Sequence, residues 1–534
     1  MTAQSKNQSV AEDHRLDSTA DKMWLWLFLI ALAVRLPFVF IAPNNGTDAL
    51  ARFHYALAWL KDPARLPDAT TTDAWLPLHI WLLGAVLWLW NSERSARLLT
   101  AFLGAATILP YWGTLRRAFD LRGTLASTLL FALYGFHVAY SVTTSSETPT
   151  LFFLTSGVYF WMRFLLDARW AWCVPAAIAL SAASLCRFDA WVFMPVLSVL
   201  LLDFSRGWAS VWSNRSAWLR ATCFGLTASA GAVGWMVFSY VRWADPMELP
   251  HRTIRLIHSL SPVLRHSLPF RLVVVPVSLL TSLSPLIVVL AALGIFWVLG
   301  RGERAAKSLA VLALTLFAWN YANSVKNETT QARYILMYSW LLIPFAFEGL
   351  RRLARLRPRW GGRRVYVGTV VFFLVWEAGI VFGGHYGPEV IADRLSPMSP
   401  TLEPHVEIRR LTQWLRGHTG STDTVVFDEF SFQSDTILQL SGINLSRVFQ
   451  VRGPAYSSRE VLGKEVQKFI RSRHPRFAVC SPYGPIGDLW SLDDREDVDL
   501  PALGISLQLE WQAAHWRVYT ISYSQSPSQT VRSE

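Results

Sequence analysis

The chain is punctuated by apolar runs of about 20 residues, the length a helix needs to cross the hydrocarbon core of a bilayer. The first, 23–42, reads MWLWLFLIALAVRLPFVFIA. Further runs fall near 95–115, 123–142, 149–166, 171–187, 190–203, 220–240, 272–299, 308–322, 333–349 and 365–383. With the first they predict about eleven spans. A soluble protein of 534 residues would need a charged surface. Here 52% of residues are hydrophobic and only 16% charged, against a usual ~45–50% and ~25%. Disordered and fibrous classes are excluded, because both need low apolar content or low complexity. The 26 Trp suit a membrane protein, whose indoles settle at the two interfaces. Cys173, Cys186, Cys223 and Cys480 are scattered and form neither a disulfide framework nor a metal-binding spacing.

The formal charge of +12 raises the question of nucleic acid. Its location answers it, since most of the cations lie in short loops between apolar runs. With the N-terminus inside, the inner loops are 116–122, the stretch around Asp167 and Arg169, 206–220, 301–307 and 351–364, and each carries Arg or Lys. That is the positive-inside pattern. Residues 1–22 read as a disordered cytoplasmic tail. The first run ends in Pro43-Asn44-Asn45-Gly46, with no small-residue cleavage site, so it reads as an uncleaved anchor. Arg35 interrupts that run and is expected to snorkel to the outer headgroups.

The stretch 74–90 is apolar but short, with Pro77 near its start. Counting it as a span would put the later basic loops outside, so it is expected to be an outer-leaflet helix. Residues 47–60 read as an amphipathic helix at the same surface. After 385 charges and turn residues return, and 386–534 reads as an extracytoplasmic α/β domain. Strands are expected at 424–427 and 477–481, a helix at 458–472, and a hairpin of 505–511 with 515–521. The tail from Ser524 is expected to be disordered, and no internal repeat is visible.

This topology gathers ionisable residues at the outer ends of separate spans. Asp48 follows the first, Glu147 opens the fourth, Arg187 and Asp189 form a tight outer turn, and Lys326, Glu328 and Arg333 precede the tenth. Any one of these could simply end a helix, but their coincidence in four loops points to a site. The outer loop 241–271 breaks the charge rule, with Arg242, Arg252, Arg255, Arg265 and Arg271 among apolar residues. Arg252 and Arg255 are candidate phosphate ligands, since a guanidinium presents a fork suited to phosphate; attraction to anionic lipid is the plainer alternative. A lipid-linked phosphosugar would need such cations for its leaving group, and a carboxylate to take a proton from an acceptor hydroxyl.

In this order, these residues resemble the GT-C superfamily of polytopic glycosyltransferases. The similarity is to the family-39-like branch that includes protein O-mannosyltransferases and the bacterial aminoarabinose lipid A transferase. Four features carry it: Asp48 in GTDALARFHYALAWL, the Pro-containing helix start WLPLH at 75–79, Glu147 in SSETPTLFFL, and Arg333-Tyr334 with Pro344 in QARYILMYSWLLIPF. The resemblance covers 23–385 in order. It implies a GT-C-like transmembrane catalytic domain there, with Asp48 as catalytic base, Glu147 as a second acidic residue and Arg333 on the donor phosphate. Arg52, Asp73, His79, Arg187, Asp189, Lys326 and Tyr334 are further site candidates. Many relatives carry Asp-Glu at the first motif and paired prolines at the second. Here they are Asp48-Ala49 and Leu76-Pro77, so no metal ligand is assigned and a divalent metal is left open.

The implied activity is an inverting transfer of sugar from a polyprenyl-phosphate donor to an acceptor hydroxyl on a lipid, glycan or protein, with membrane lipids as surroundings and no nucleic acid. The arginine-rich content favours a bacterial inner membrane. A transporter or lipid flippase is the alternative, but it would carry ionisable groups near mid-membrane and show repeat symmetry. A catalytically dead scaffold of the same fold is a third reading, which Asp48, Glu147 and Arg333 argue against.

Overall fold

The computed structural model describes residues 3–41, 44, 49–61, 75–202, 208–251, 267–326, 332–356, 363–382, 404–428, 434–443, 445–450, 459–482, 484–492, 496–513 and 515–523, with side chains from Lys22 onward. The chain divides into two compact units, one helical and one built on a sheet within 398–534.

The helical unit is that of a multi-pass membrane protein. Among the described residues four helical stretches are long and apolar enough to cross a bilayer: Lys22–Ile41, Glu93–Leu115, Glu147–Asp167 and Arg304–Lys326. Three bent pairs raise that to seven: Leu121–Ala132 with Gly135–Ser141, Arg215–Ala228 with Ala230–Trp243, and Leu268–Leu283 with Pro285–Arg301. Trp170–Ser184 and Phe188–Leu200 are apolar but shorter. The last bent pair departs from the sequence reading. One straight span was expected over 272–299, yet the two helices meet at 103°. The cause is local. Ser284 has φ 67° and Pro285 opens the next helix. A proline lacks the N–H that would continue the ladder and disfavours a helical residue before it. The Ser284 hydroxyl instead accepts from the Ile287 amide at 3.4 Å.

Arg35 corrects a second expectation. It does not snorkel but is fully buried. Its Nη1 donates to the carbonyls of Ala31 at 2.8 Å and Ala132 at 2.9 Å, its Nε donates to Ser141 Oγ at 2.8 Å, and Nη2 lies 3.0 Å from His137 Nδ1. It therefore ties the first helix to the break between Leu121–Ala132 and Gly135–Ser141. A helix interruption leaves backbone carbonyls without partners, and in a membrane these need a donor from the protein itself.

Apolar burial cannot hold helices together against lipid, so close backbone packing must. Helices Pro285–Arg301 and Leu336–Leu356 do this through Gly294 and Gly349. A Cβ on Gly294 would collide with the Phe345 carbonyl, and one on Gly349 with the Leu290 carbonyl. Tyr111 Oη donates to the Trp340 carbonyl at 2.9 Å and Trp161 Nε1 to the Leu197 carbonyl at 3.0 Å, which satisfies two buried polar tips in the core.

The second unit is a six-stranded sheet in the order β2-β1-β3-β6-β5-β4. The strands are β1 (Val425–Phe427), β2 (Val448–Gln450), β3 (Phe477–Cys480), β4 (Asp497–Leu500), β5 (Ile505–Gln512) and β6 (Arg517–Tyr523). β2, β1 and β3 run parallel and the rest antiparallel. The expected hairpin is β5 with β6, and the expected helix is Arg459–Arg473. Strand alternation divides the core. Val426 and Ala478 face Leu462, Val466 and Ile470 of that helix, while Val425, Phe427 and Val479 face Ile408, Leu411 and Leu415 of Pro404–His418. At the end of β1, the buried Asp428 carboxylate accepts from the amides of Ile486 and Gly487, both at 2.9 Å. It thereby satisfies the first turn of Pro485–Trp490.

Two outcomes are expected. Gly294→Leu should cost about 1–3 kcal/mol by overpacking, read as a lowered thermal midpoint of detergent-purified protein. Burial, and then Asp428, push the Cys480 thiol well above its ordinary range. Since the thiolate is the nucleophile, a maleimide should label Cys480 only after denaturation, by peptide mass mapping.

Candidate functional site

The helix Glu147–Asp167 begins at the carboxylate itself, where the positive end of the helix dipole favours an anion. Thr143 to Ser146 lead into it and are buried. Thr143 Oγ1 donates to the Tyr140 carbonyl at 3.0 Å and lies 2.8 Å from Ser145 Oγ, from whose hydroxyl it can accept. Asn44, just past the first helix, donates from Nδ2 to Thr144 Oγ1 at 2.9 Å and accepts from the Thr144 amide at 3.0 Å. Thr144 Oγ1 also donates to the Ala49 carbonyl. The chain on either side of Asp48 is thus held against the approach to Glu147. Nothing in the sequence pairs positions a hundred residues apart, and the Asn44–Thr144 contact was not anticipated.

Three arginines act on Glu147. Arg187 Nη1 donates to Glu147 Oε1 at 2.7 Å and to Ser146 Oγ at 3.3 Å. Its Nε and Nη2 donate to Asp189 Oδ2 at 2.9 and 2.7 Å. The Arg333 Nε lies 3.5 Å from Glu147 Oε1. Arg52 adds a third cation. One short 3-10 turn, Ala332–Ile335, supplies both Arg333 and Tyr334. The Tyr334 ring stands 5.6 Å from the Arg187 guanidinium carbon and 6.0 Å from that of Arg333. Arg187 leads into the 3-10 turn Phe188–Val192 in extended conformation, which lets one guanidinium bridge two carboxylates.

Helix Pro77–Leu89 closes another side. Its Leu78 amide donates to the Leu185 carbonyl at 3.0 Å, two residues before Arg187. His79 is buried within the fields of Arg52 and Arg187. Arg52 lies over the Trp75 ring at 4.4 Å, and Tyr55 meets that ring edge-on at 5.3 Å. Trp75 belongs to the WLPLH motif, but its place beside Arg52 is not legible there, because the cation–π contact depends on how two helices meet.

The structure therefore brings together Arg52, His79, Glu147, Arg187, Asp189, Arg333 and Tyr334. Lys326 is exposed at the end of Arg304–Lys326 and is not among the cations acting on Glu147. Asp48, Asp73, Arg252 and Arg255 lie outside the described residues. Among the described residues, no group of three or more His, Cys, Asp or Glu is arranged to hold a metal ion. Among the described residues, Arg52, Arg187 and Arg333 gather around Glu147, and a guanidinium presents a fork suited to phosphate.

The pairing sets a stability test. Arg187→Ala removes the closest cation from a carboxylate that is 1% exposed, and breaking such a buried pair costs about 3–5 kcal/mol. The double variant Arg187→Ala/Glu147→Gln should recover part of the lost thermal midpoint, because the uncompensated charge is gone.

Residues 73–235, which include His79, Glu147, Arg187 and Asp189, match the family described as dolichyl-phosphate-mannose-protein mannosyltransferase. No curated protein matches the chain by sequence. Among solved structures, the chain is similar to ArnT from Cupriavidus metallidurans in the apo state, at 15% identity and TM-score 0.60, over 94% of this chain and 98% of that one. The same protein bound to undecaprenyl phosphate matches at 15% identity and TM-score 0.59, over 93% and 98%. An Archaeoglobus fulgidus oligosaccharyltransferase in the apo form matches at 12% identity and TM-score 0.49, over 95% of this chain and 75% of that one. A dolichyl-phosphate-mannose-protein mannosyltransferase family thus matches residues 73–235, and the chain shares the ArnT fold over nearly its whole length.

Proposed function

We propose that the chain transfers a sugar, with inversion, from a polyprenyl-phosphate donor to an acceptor hydroxyl on the extracytoplasmic face of a bacterial inner membrane. The observation that carries this reading is the buried cluster in which Arg187 and Arg333 converge on Glu147 at 2.7 and 3.5 Å, with Arg52 acting on it as well. Guanidinium groups gathered in a water-poor setting are what a departing phosphate requires. The fold likeness adds the donor class, since that ArnT structure is described as bound to undecaprenyl phosphate.

In the proposed reaction Asp48 takes the proton of the acceptor hydroxyl. The hydroxyl oxygen attacks the anomeric carbon from the face opposite the leaving group. The bond from that carbon to the phosphate oxygen breaks, and the electron pair leaves with polyprenyl phosphate. Arg333 receives the developing charge, helped by Arg52. Glu147 positions Arg187 and Arg333, and helps to seat the acceptor. Tyr334 offers its ring beside both cations. The unit spanning 386–534 binds or orients the acceptor. The N-terminus is cytoplasmic in this reading, supported by the arginines of 116–122, 206–220, 301–307 and 351–364.

The test is turnover of a panel of short-chain polyprenyl-phosphate sugars by purified protein. One donor should be consumed. Asp48→Asn should bind that donor with unchanged affinity and turn it over about 10²–10⁴-fold more slowly, the range of a general base. A wild-type protein that neither binds nor consumes any donor sinks the reading.

A further inference from the structure

The side chains that meet at Glu147 are closed off from their surroundings. Those of Glu147, Arg333 and Arg187 are 2%, 6% and 10% exposed, and Arg52 and His79 are buried. Asp189 stands apart at 35%, and the reaction proposed above gives it no part. Its two oxygens are used unequally. Oδ2 accepts from Arg187 Nε at 2.9 Å and from Arg187 Nη2 at 2.7 Å. A fork-to-fork pair would place one bond on each oxygen. Here both fall on Oδ2, and Oδ1 takes no hydrogen bond from any described residue. Arg187 is extended and Asp189 lies in the 3-10 turn Phe188–Val192 that follows, so the two side chains meet along one edge of the carboxylate.

The open oxygen has a defined setting. Phe188, its neighbour in the chain, is half-buried and meets Trp191 edge-on at 5.2 Å. Tyr334, also half-buried, stands 5.6 Å from the Arg187 guanidinium carbon. Arg187 and Arg333 both act on Glu147 Oε1. Asp189 is therefore linked through Arg187 and Glu147 to Arg333, the cation that takes the donor phosphate in the reading above. The sugar is bonded to that phosphate.

An ionised carboxylate oxygen only accepts hydrogen bonds. Beside apolar rings it suits a polyhydroxylated ring, which offers O–H donors at its rim and C–H groups on its faces. An ammonium group fits less well. Arg187 already neutralises Asp189, and Arg52, Arg187 and Arg333 would repel a further cation. We infer that Asp189 Oδ1 accepts a hydrogen bond from a hydroxyl of the sugar being transferred, and thereby selects a neutral sugar that carries this hydroxyl. A donor lacking it leaves Oδ1 without its partner, which is how a hydrogen-bonding site rejects a close analogue. The inference rests on the glycosyltransferase reading and adds to it the residue that reads the sugar.

The test compares kcat/KM for the polyprenyl-phosphate sugar that the full-length wild type consumes with kcat/KM for its monodeoxy derivatives, each lacking one ring hydroxyl. Turnover is read as release of polyprenyl phosphate with water as the only acceptor, so that an acceptor hydroxyl cannot contribute. One derivative should fall about 10–100-fold below the parent donor, the loss of a hydrogen bond to a charged group. Asp189→Asn turns the oxygen that faces the sugar into an N–H donor, and Asp189→Ala removes it. In both variants the ratio of parent to that derivative should collapse toward one. The ratio separates recognition from damage, because a merely structural Asp189 would slow both donors together and leave the ratio at its wild-type value. That result overturns the inference. So does a wild type that treats every monodeoxy donor as it treats the parent, or an Asp189→Asn protein that loses only an amino-sugar donor, which would assign Oδ1 to an ammonium group. A wild type that consumes no donor defeats the glycosyltransferase reading itself, and this inference with it; an unmoved ratio in an active protein defeats this inference alone.

Discussion

A carboxylate that is almost fully buried at the start of a membrane helix is untenable without cations beside it. Glu147 has Arg187 at 2.7 Å and Arg333 at 3.5 Å, and much of the helical unit is arranged to deliver them. The turn after Cys173–Ser184 must present Arg187 extended. The 3-10 turn before Leu336–Leu356 must present Arg333 with its neighbouring ring. Asn44 and Thr144 must hold the end of the first helix to the start of the fourth span. Desolvation makes each charge expensive alone, so the cluster stands or falls as one arrangement. The same desolvation strengthens every charge contact within the cluster, because water is a poor competitor there.

The buried polar groups elsewhere follow a related rule. Bilayer-embedded backbone cannot turn to water for hydrogen bonds, and among the described residues two helix interruptions carry their own donors or acceptors. Arg35 serves the carbonyl of Ala132 and Glu377 serves the amide of Gly135, on the two sides of one break. Ser284 serves the first turn after the bend at Pro285. Asp428 does the same in the sheet unit for Pro485–Trp490. Ionisable side chains inside a membrane were expected of a transporter rather than an enzyme. Arg35 and Glu377 show that this chain carries them too, Arg35 as a brace at a helix break and Glu377 with one oxygen left over.

Legibility followed the range of the interaction that determines each feature. The apolar runs, Pro285 after Ser284, the β5–β6 hairpin and the helix Arg459–Arg473 are written in contiguous residues. Even so, the bend at Ser284 was read through, because both flanks are apolar and hydropathy is blind to φ. The short strands β2 and β4 were missed, since three or four residues carry too little alternation to register. In the site, Glu147, Arg187, Asp189 and Arg333 could be nominated from charge at the ends of spans. Arg35 was misread, because a lone arginine in an apolar run looks the same whether it reaches headgroups or a broken helix.

The amino-acid sequence by itself determined that this chain lives in a membrane, roughly where its helices start and stop, and which charged residues end them. Those properties follow from side-chain hydropathy and local backbone chemistry, which need no partner from elsewhere in the chain. Only the tertiary structure decided that Glu147 lies between Arg187 and Arg333, that Arg35 turns inward, and that Glu377 meets Tyr134 and its serine neighbours. Those pairings join residues tens to hundreds of positions apart. In a membrane, where lipid satisfies every apolar face equally well, close packing at sites such as Gly294 and Gly349 and buried polar contacts select among the ways the same helices could assemble.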